Sequence, residues 1–138
     1  MTEGILKPKE TINSPADGIA LSDTVREVEF PVLQHIEFDF QGPFFAGHCE
    51  LGAATFLIFS DGTCQWRANN VMSTAGDDSW LATFALFDRN GHQLHIFPRI
   101  SSPSLSPPGH VVTWIDNHLT FPAFVFPFAS RMTMQYHC

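Results

Sequence analysis

Charge is scarce in this chain, and positive charge scarcest of all. Charged residues make up 15% of its 138 positions, against roughly 25% in an average soluble domain. Seven Lys and Arg stand against fourteen Asp and Glu, for a net charge of −7. Nucleic acid is held by clustered basic side chains that neutralise phosphates and release counterions. Here Arg67, Arg89, Arg99 and Arg131 stand singly, so neither a nucleic acid partner nor an anionic membrane surface is expected. No stretch reaches the roughly 20 apolar residues that span a bilayer. The first ten residues hold no apolar signal region, which points to a cytoplasmic protein, with secretion open only if the start is trimmed. Three cysteines, Cys49, Cys64 and Cys138, form no C-x-x-C and no zinc-finger spacing. Two readings stand: reduced buried thiols, as suits a cytosolic chain, or a bridge from Cys49 to Cys138. The sequence also lacks G-x-S-x-G, H-E-x-x-H, a Walker loop and a dinucleotide glycine fingerprint. No 11-residue window carries a helical stripe.

Hydrophobic residues reach 44%, with 14 Phe, enough for one globular core at this length. Residues 1–24 carry Pro8, Asn13, Pro15, Gly18 and four acidic groups without periodicity, and read as a flexible N-terminal arm. Residues 25–138 read as a single all-β domain.

Two dipeptides organise that domain. Asp61-Gly62 and Asn90-Gly91 each lie between runs of β-branched and aromatic residues. Both supply the positive φ that a tight hairpin needs. Further strands are expected from about Val25 to Phe40, over His110–Asp116, and at the end, where Arg131, Thr133, Gln135 and His137 alternate with Met132, Met134, Tyr136 and Cys138. Ser101–Gly109 reads as a loop. Phe121–Phe128 reads as extended, with two prolines that bar it from a central ladder. Six to eight strands with little helix predict an antiparallel β-sandwich or small β-barrel.

Two-residue turns would put Phe59 opposite Cys64, Leu57 opposite Trp66 and Thr55 opposite Ala68, on the core side of the first hairpin. Phe56 and Ile58 then face outward. In the second hairpin, Phe87 meets Leu94 and Ala85 meets Ile96, while Leu86 meets His95 and Phe84 meets Phe97 on the other face. These assignments depend on turn length, because a one-residue slip exchanges the faces.

His35, Glu37 and Asp39 share one strand face and could converge on a metal, or form an ordinary solvated face. His95 among apolar neighbours, or His35 beside a carboxylate, could serve as acid and base, or be a hydrogen-bonded structural residue. Trp66, Trp80 and Trp114 could stack on a sugar or an aromatic ligand, or, as the default, pack in the core, where each indole N–H needs an acceptor.

Gly47-x-Cys49, Asp61-Gly62-Thr63 with Trp66, Asp77-Asp78-x-Trp80, Asn90-Gly91 and Cys138 occur in that order. Together they resemble a small bacterial family of uncharacterised all-β domains over about residues 38–138. The resemblance implies a prokaryotic source and favours the Cys49–Cys138 pair. Members often carry export signals, from which this chain departs. It implies no activity and assigns no functional residue.

The reading that follows is a non-enzymatic binding module, with no cofactor. Its β-barrel cavity or apolar sheet face, lined by Phe56, Ile58, Phe84, His95 and Phe97, would hold a small apolar ligand or a protein partner. A homodimer through the apolar outer face is also expected. The alternative is a small β-barrel enzyme using His95 or His35 with a carboxylate, with or without a metal.

Overall fold

The structure is a computed structural model that describes residues 10–12, 24–26 and 32–138. The chain divides into two units, Met1–Leu33 and Gln34–Cys138. In the first, β1 (Glu10–Ile12) pairs antiparallel with β2 (Thr24–Arg26). The expected arm and the segment 27–31 otherwise lie outside the described residues.

The second unit is all β. Its larger sheet comprises β3 (His35–Phe40), β4 (Phe44–Ala46), β5 (Cys49–Leu51), β6 (Ala54–Phe59) and β7 (Cys64–Ser73) in the order β3-β6-β7-β5-β4. The smaller sheet is built on β8 (Leu81–Phe87), with β9 (Gln93–Ile96) and β10 (Ile100–Ser101) successively along one edge. Strand β11 (Val112–Asp116) adds to β7, and β12 (Arg131–His137) pairs with the full length of β8. All pairings are antiparallel.

Glycine-closed turns set the register. In the first hairpin the Gly62 amide donates to the Phe59 carbonyl at 3.0 Å, and the Phe59 amide to the Thr63 carbonyl at 2.9 Å. Gly62 has φ +90°. The connection is therefore a three-residue loop ending in a left-handed residue, one residue longer than a minimal turn. That residue exchanges the faces of β6. Phe56 now pairs with Trp66 and Ile58 with Cys64, and all four are buried. Thr55, Leu57 and Phe59 are half-buried on the opposite side.

The second hairpin repeats the motif, with Gly91 at φ +87°. Asp88 accepts from the amides of Asn90 at 2.9 Å and His92 at 2.8 Å. Phe87 accordingly meets Gln93 rather than Leu94, and a bulge between Gln93 and His95 then removes the offset. Ala85 opposite Ile96 and Leu86 opposite His95 stand as expected.

The inner faces of the two sheets meet through aromatic rings. Phe84 of β8 lies 4.7 Å from Phe56 and 4.7 Å from Trp66, centroid to centroid, and Phe97 lies 5.2 Å from Phe56. Burial of each such side chain contributes roughly 2–3 kcal/mol, and each well-oriented ring pair about 1 kcal/mol more. The indole N–H groups of Trp66 and Trp80 are buried and find no acceptor among the described residues.

Residues Ala123–Phe128 form a 3-10 turn rather than an extended segment. Proline's fixed φ near −65° suits that turn as well as it suits extended chain. Val125 and Phe126 anchor it in the core, while Phe124 is 77% and Phe128 63% exposed.

Two outcomes follow. A methyl at Gly62 would meet the Phe121 carbonyl at 2.6 Å, whereas nothing lies within 4 Å of one at Gly91. Gly91→Ala should cost about 1–2 kcal/mol, the strain of the left-handed backbone alone. Gly62→Ala should cost about 3 kcal/mol or more, as read from urea unfolding midpoints. Hydrogen bonds from the His92 backbone, followed by others at the same turn, hold the Asp88 carboxyl below its ordinary value. A depressed folded pKa contributes stability that is present above the unfolded carboxylate pKa and lost as pH falls through the folded one. The stability gap between wild type and Asp88→Asn should therefore narrow between about pH 6 and pH 2.

Candidate functional site

Phe56, Ile58, Phe84 and Phe97 are closed into the core at 0–1% exposure, ring against ring. They fill the space that the cavity expectation had left for a ligand. The physical cause is the longer first turn, which brings Phe56 and Ile58 inward. His95 is half-buried beside Phe97, with its ring edge-on at 4.6 Å. Its Nε2 is buried and meets no hydrogen-bond partner among the described residues.

His35, Glu37 and Asp39 lie exposed along one face of β3. A hydrogen bond with Asp39, then the charge of Asp39, pushes the Glu37 carboxyl up, and His35 opposes this weakly. Their ligand atoms do not gather as a metal site requires. Among the described residues the group whose ligand atoms fall within 4.8 Å of one another is Cys49, Asp78 and Cys138. In that group Cys49 and Cys138 form a disulfide, with Cα atoms 6.1 Å apart, so their sulfurs are not the thiolates that ligate metals. Ser73 Oγ donates to Asp78 at 2.5 Å and accepts from the amides of Ala75 and Gly76. This is a polar staple under the joined chain segments. Cys64 is free and buried, and burial pushes its thiol up to about 12.

Two His–carboxylate pairs occur among the described residues. His92 Nδ1 lies 3.2 Å from Asp88, and His118 Nδ1 lies 3.8 Å from Asp116. Both are in exposed turns whose aspartates already accept backbone amides.

The outer face of the smaller sheet carries a different arrangement. In β8, Leu81 and Thr83 point away from buried Ala82 and Phe84, and β12 places His137 opposite Leu81 and Gln135 opposite Thr83. On the other edge of β8, the register passes from Ile96–Ala85 to Ile100–Ala82, so one extra residue enters between them. Pro98 and Arg99 are therefore both exposed between buried Phe97 and Ile100, and the bulge aims Arg99 to stand beside Thr83. Leu81, Thr83, Arg99, Gln135, Tyr136 and His137 line a recess of about 170 Å³. No hydrogen bond or ion pair joins the side chains of Arg99, Gln135 or His137 to another described residue. Beneath the recess, Tyr136 stacks on Trp80 at 5.2 Å with the rings 14° from parallel.

A larger hollow of about 560 Å³ lies between the second hairpin tip and the 3-10 turn, lined by Asp88, Arg89, Asn90, Pro127, Phe128, Ala129 and Ser130. Its carboxylate, Asp88, is already committed to closing the turn. The polar side chains of the smaller recess are uncommitted among the described residues, which is what a ligand site needs.

Gln135 and His137 were legible in the alternation of the last strand. Arg99 was not, since a bulge at Pro98-Arg99 has no alternation to reveal it.

Residues 55–138 match a family of unknown function, DUF6294. The chain belongs to that family. The match begins at β6 and takes in both glycine turns, Trp66, Asp77-Asp78, Trp80, the whole recess and Cys138, but not Cys49. No curated protein and no solved structure matches the chain.

Thiol titration in denaturant without reductant should find one reactive group, Cys64, and three after reduction. In the native protein near pH 8 Cys64 should stay unmodified, since its thiolate is scarce. The disulfide spans 89 residues, and Cys49→Ser should cost about 2–5 kcal/mol of stability.

Proposed function

We propose that this domain is a non-enzymatic binding module that holds a small ligand in the recess on the outer face of the smaller sheet. The observation that carries the reading is convergence. Leu81 and Thr83 from β8, Gln135 and His137 from β12, and Arg99 from the bulge before β10 all face one hollow of about 170 Å³. That volume is close to a cavity that takes a benzene ring, about 150 Å³. Leu81 supplies apolar contact, and the rim supplies donors that fix orientation. The site stands on paired strands rather than a loose loop, so little conformational freedom is lost on binding.

Binding is favoured over catalysis by how the titratable groups are placed. An acid–base pair needs its two members within hydrogen-bond reach of each other and of a substrate. His137 at the recess has no carboxylate in its cross-strand row, and His95 and His35 are not joined to a carboxylate by any hydrogen bond or ion pair among the described residues.

Titration of ¹⁵N-labelled protein with ring-sized fragments tests this. At least one fragment should move the amides of Thr83, Gln135 and His137 together, and Thr83→Phe, which fills the hollow, should abolish the shifts. Silence at these amides, or shifts that survive in Thr83→Phe, would refute the reading.

A further inference from the structure

Resting on the recess as the binding site, we infer that its ligand presents an oxyanion, a carboxylate or a phosphate, on a ring-sized body. The first ground is the segregation of charge. Three cross-strand rows, Gln93–Phe87–Arg131, Ile96–Ala85–Thr133 and Ser101–Leu81–His137, and the pair Thr83–Gln135, with Arg99 lining the recess beside it, make up this face. They hold two of the chain's arginines and a histidine, and none of its fourteen acidic residues. The outer face of the larger sheet is mixed in sign instead, with Glu37 and Asp39 on β3 and Arg67 on β7.

The second ground is the difference between the two arginines. Arg131 lies over the Phe87 ring, 4.6 Å from its centroid, two rows from Thr83 and outside the lining of the recess. Arg99 has no such contact among the described residues and lines the recess beside Thr83. A guanidinium presents a planar fork of donors that matches two oxygens of a carboxylate or phosphate at once. Thr83 adds a hydroxyl and Gln135 an amide in the same row, so donors flank an anion from both neighbouring strands, roughly 5 Å apart each. An aromatic or alicyclic body fits the remaining space over Leu81.

The background field works against an anion. With a net charge of −7, the whole molecule repels anions at long range. Screening confines that repulsion to about 10 Å in ordinary salt. Selectivity for an oxyanion therefore rests on the short-range fork at Arg99, not on steering.

Benzoate, phenyl phosphate and neutral benzyl alcohol, each titrated into the ¹⁵N-labelled full chain, separate the alternatives. Benzoate, phenyl phosphate or both should shift the Thr83 and Gln135 amides and the Arg99 Nε–H at concentrations about tenfold below those needed for benzyl alcohol. The tighter of the two anions names the source of the oxygens. Arg99→Gln should erase the advantage, Arg99→Lys should retain part of it, and Arg131→Gln, which removes the same charge from the same face, should keep most of it. Equal binding of benzyl alcohol and both anions would overturn the oxyanion inference and leave the recess standing as a binding site. No shift with any of the three would bring down both. Equal losses in Arg99→Gln and Arg131→Gln would replace the fork with a diffuse field and overturn the role of Arg99.

Discussion

Trp66 and Phe84 meet at 4.7 Å across the gap between the two sheets, and the rest of the domain is arranged to keep that contact dry. Phe56 and Phe97 close around it, and Phe40 approaches both Trp66 and Phe84 from the neighbouring edge strand. Such rings offer large apolar area and prefer tilted or edge-on geometry, so each orients the next. At the centre of this core the rings lie directly against one another.

Much of the architecture could be read from residues alone. Asp-Gly and Asn-Gly mark the hairpins because few other dipeptides adopt their backbone cheaply. Alternation placed Ile36, Phe38 and Phe40 opposite His35, Glu37 and Asp39, and β7 declared its inner face through Cys64, Trp66 and Ala68. Strand β6 declared nothing, since Phe56, Leu57, Ile58 and Phe59 are apolar on both sides. Its orientation depended on whether the loop held two residues or three, a distinction that lies in backbone hydrogen bonding at Phe59 and Gly62. That single ambiguity turned Phe56 and Ile58 from a supposed pocket lining into core.

The recess was half legible for a related reason. Its β12 side follows regular alternation, whereas its β10 side depends on an irregularity. Bulges insert a residue where two registers must be reconciled, and Arg99 owes its position to one. The family match covers the recess completely. Cys49 falls outside the matched span, and the covalent tie to Cys138 is thus a property of the longer chain rather than of the matched portion.

The two hairpin tips share one backbone motif but not one fate. Gly62 is roofed by Phe121, whose amide donates to the Gly62 carbonyl at 3.0 Å, and Thr63 bridges Thr120 beside it. A methyl at Gly91 would meet nothing within 4 Å among the described residues. Lengthening or redecorating the tip at 89–91 would leave the interior undisturbed, so evolutionary drift and engineered insertions alike have room there. The tip at 60–62 behaves as a keystone instead: any residue added to it would have to displace the 119–128 segment before the strands could close.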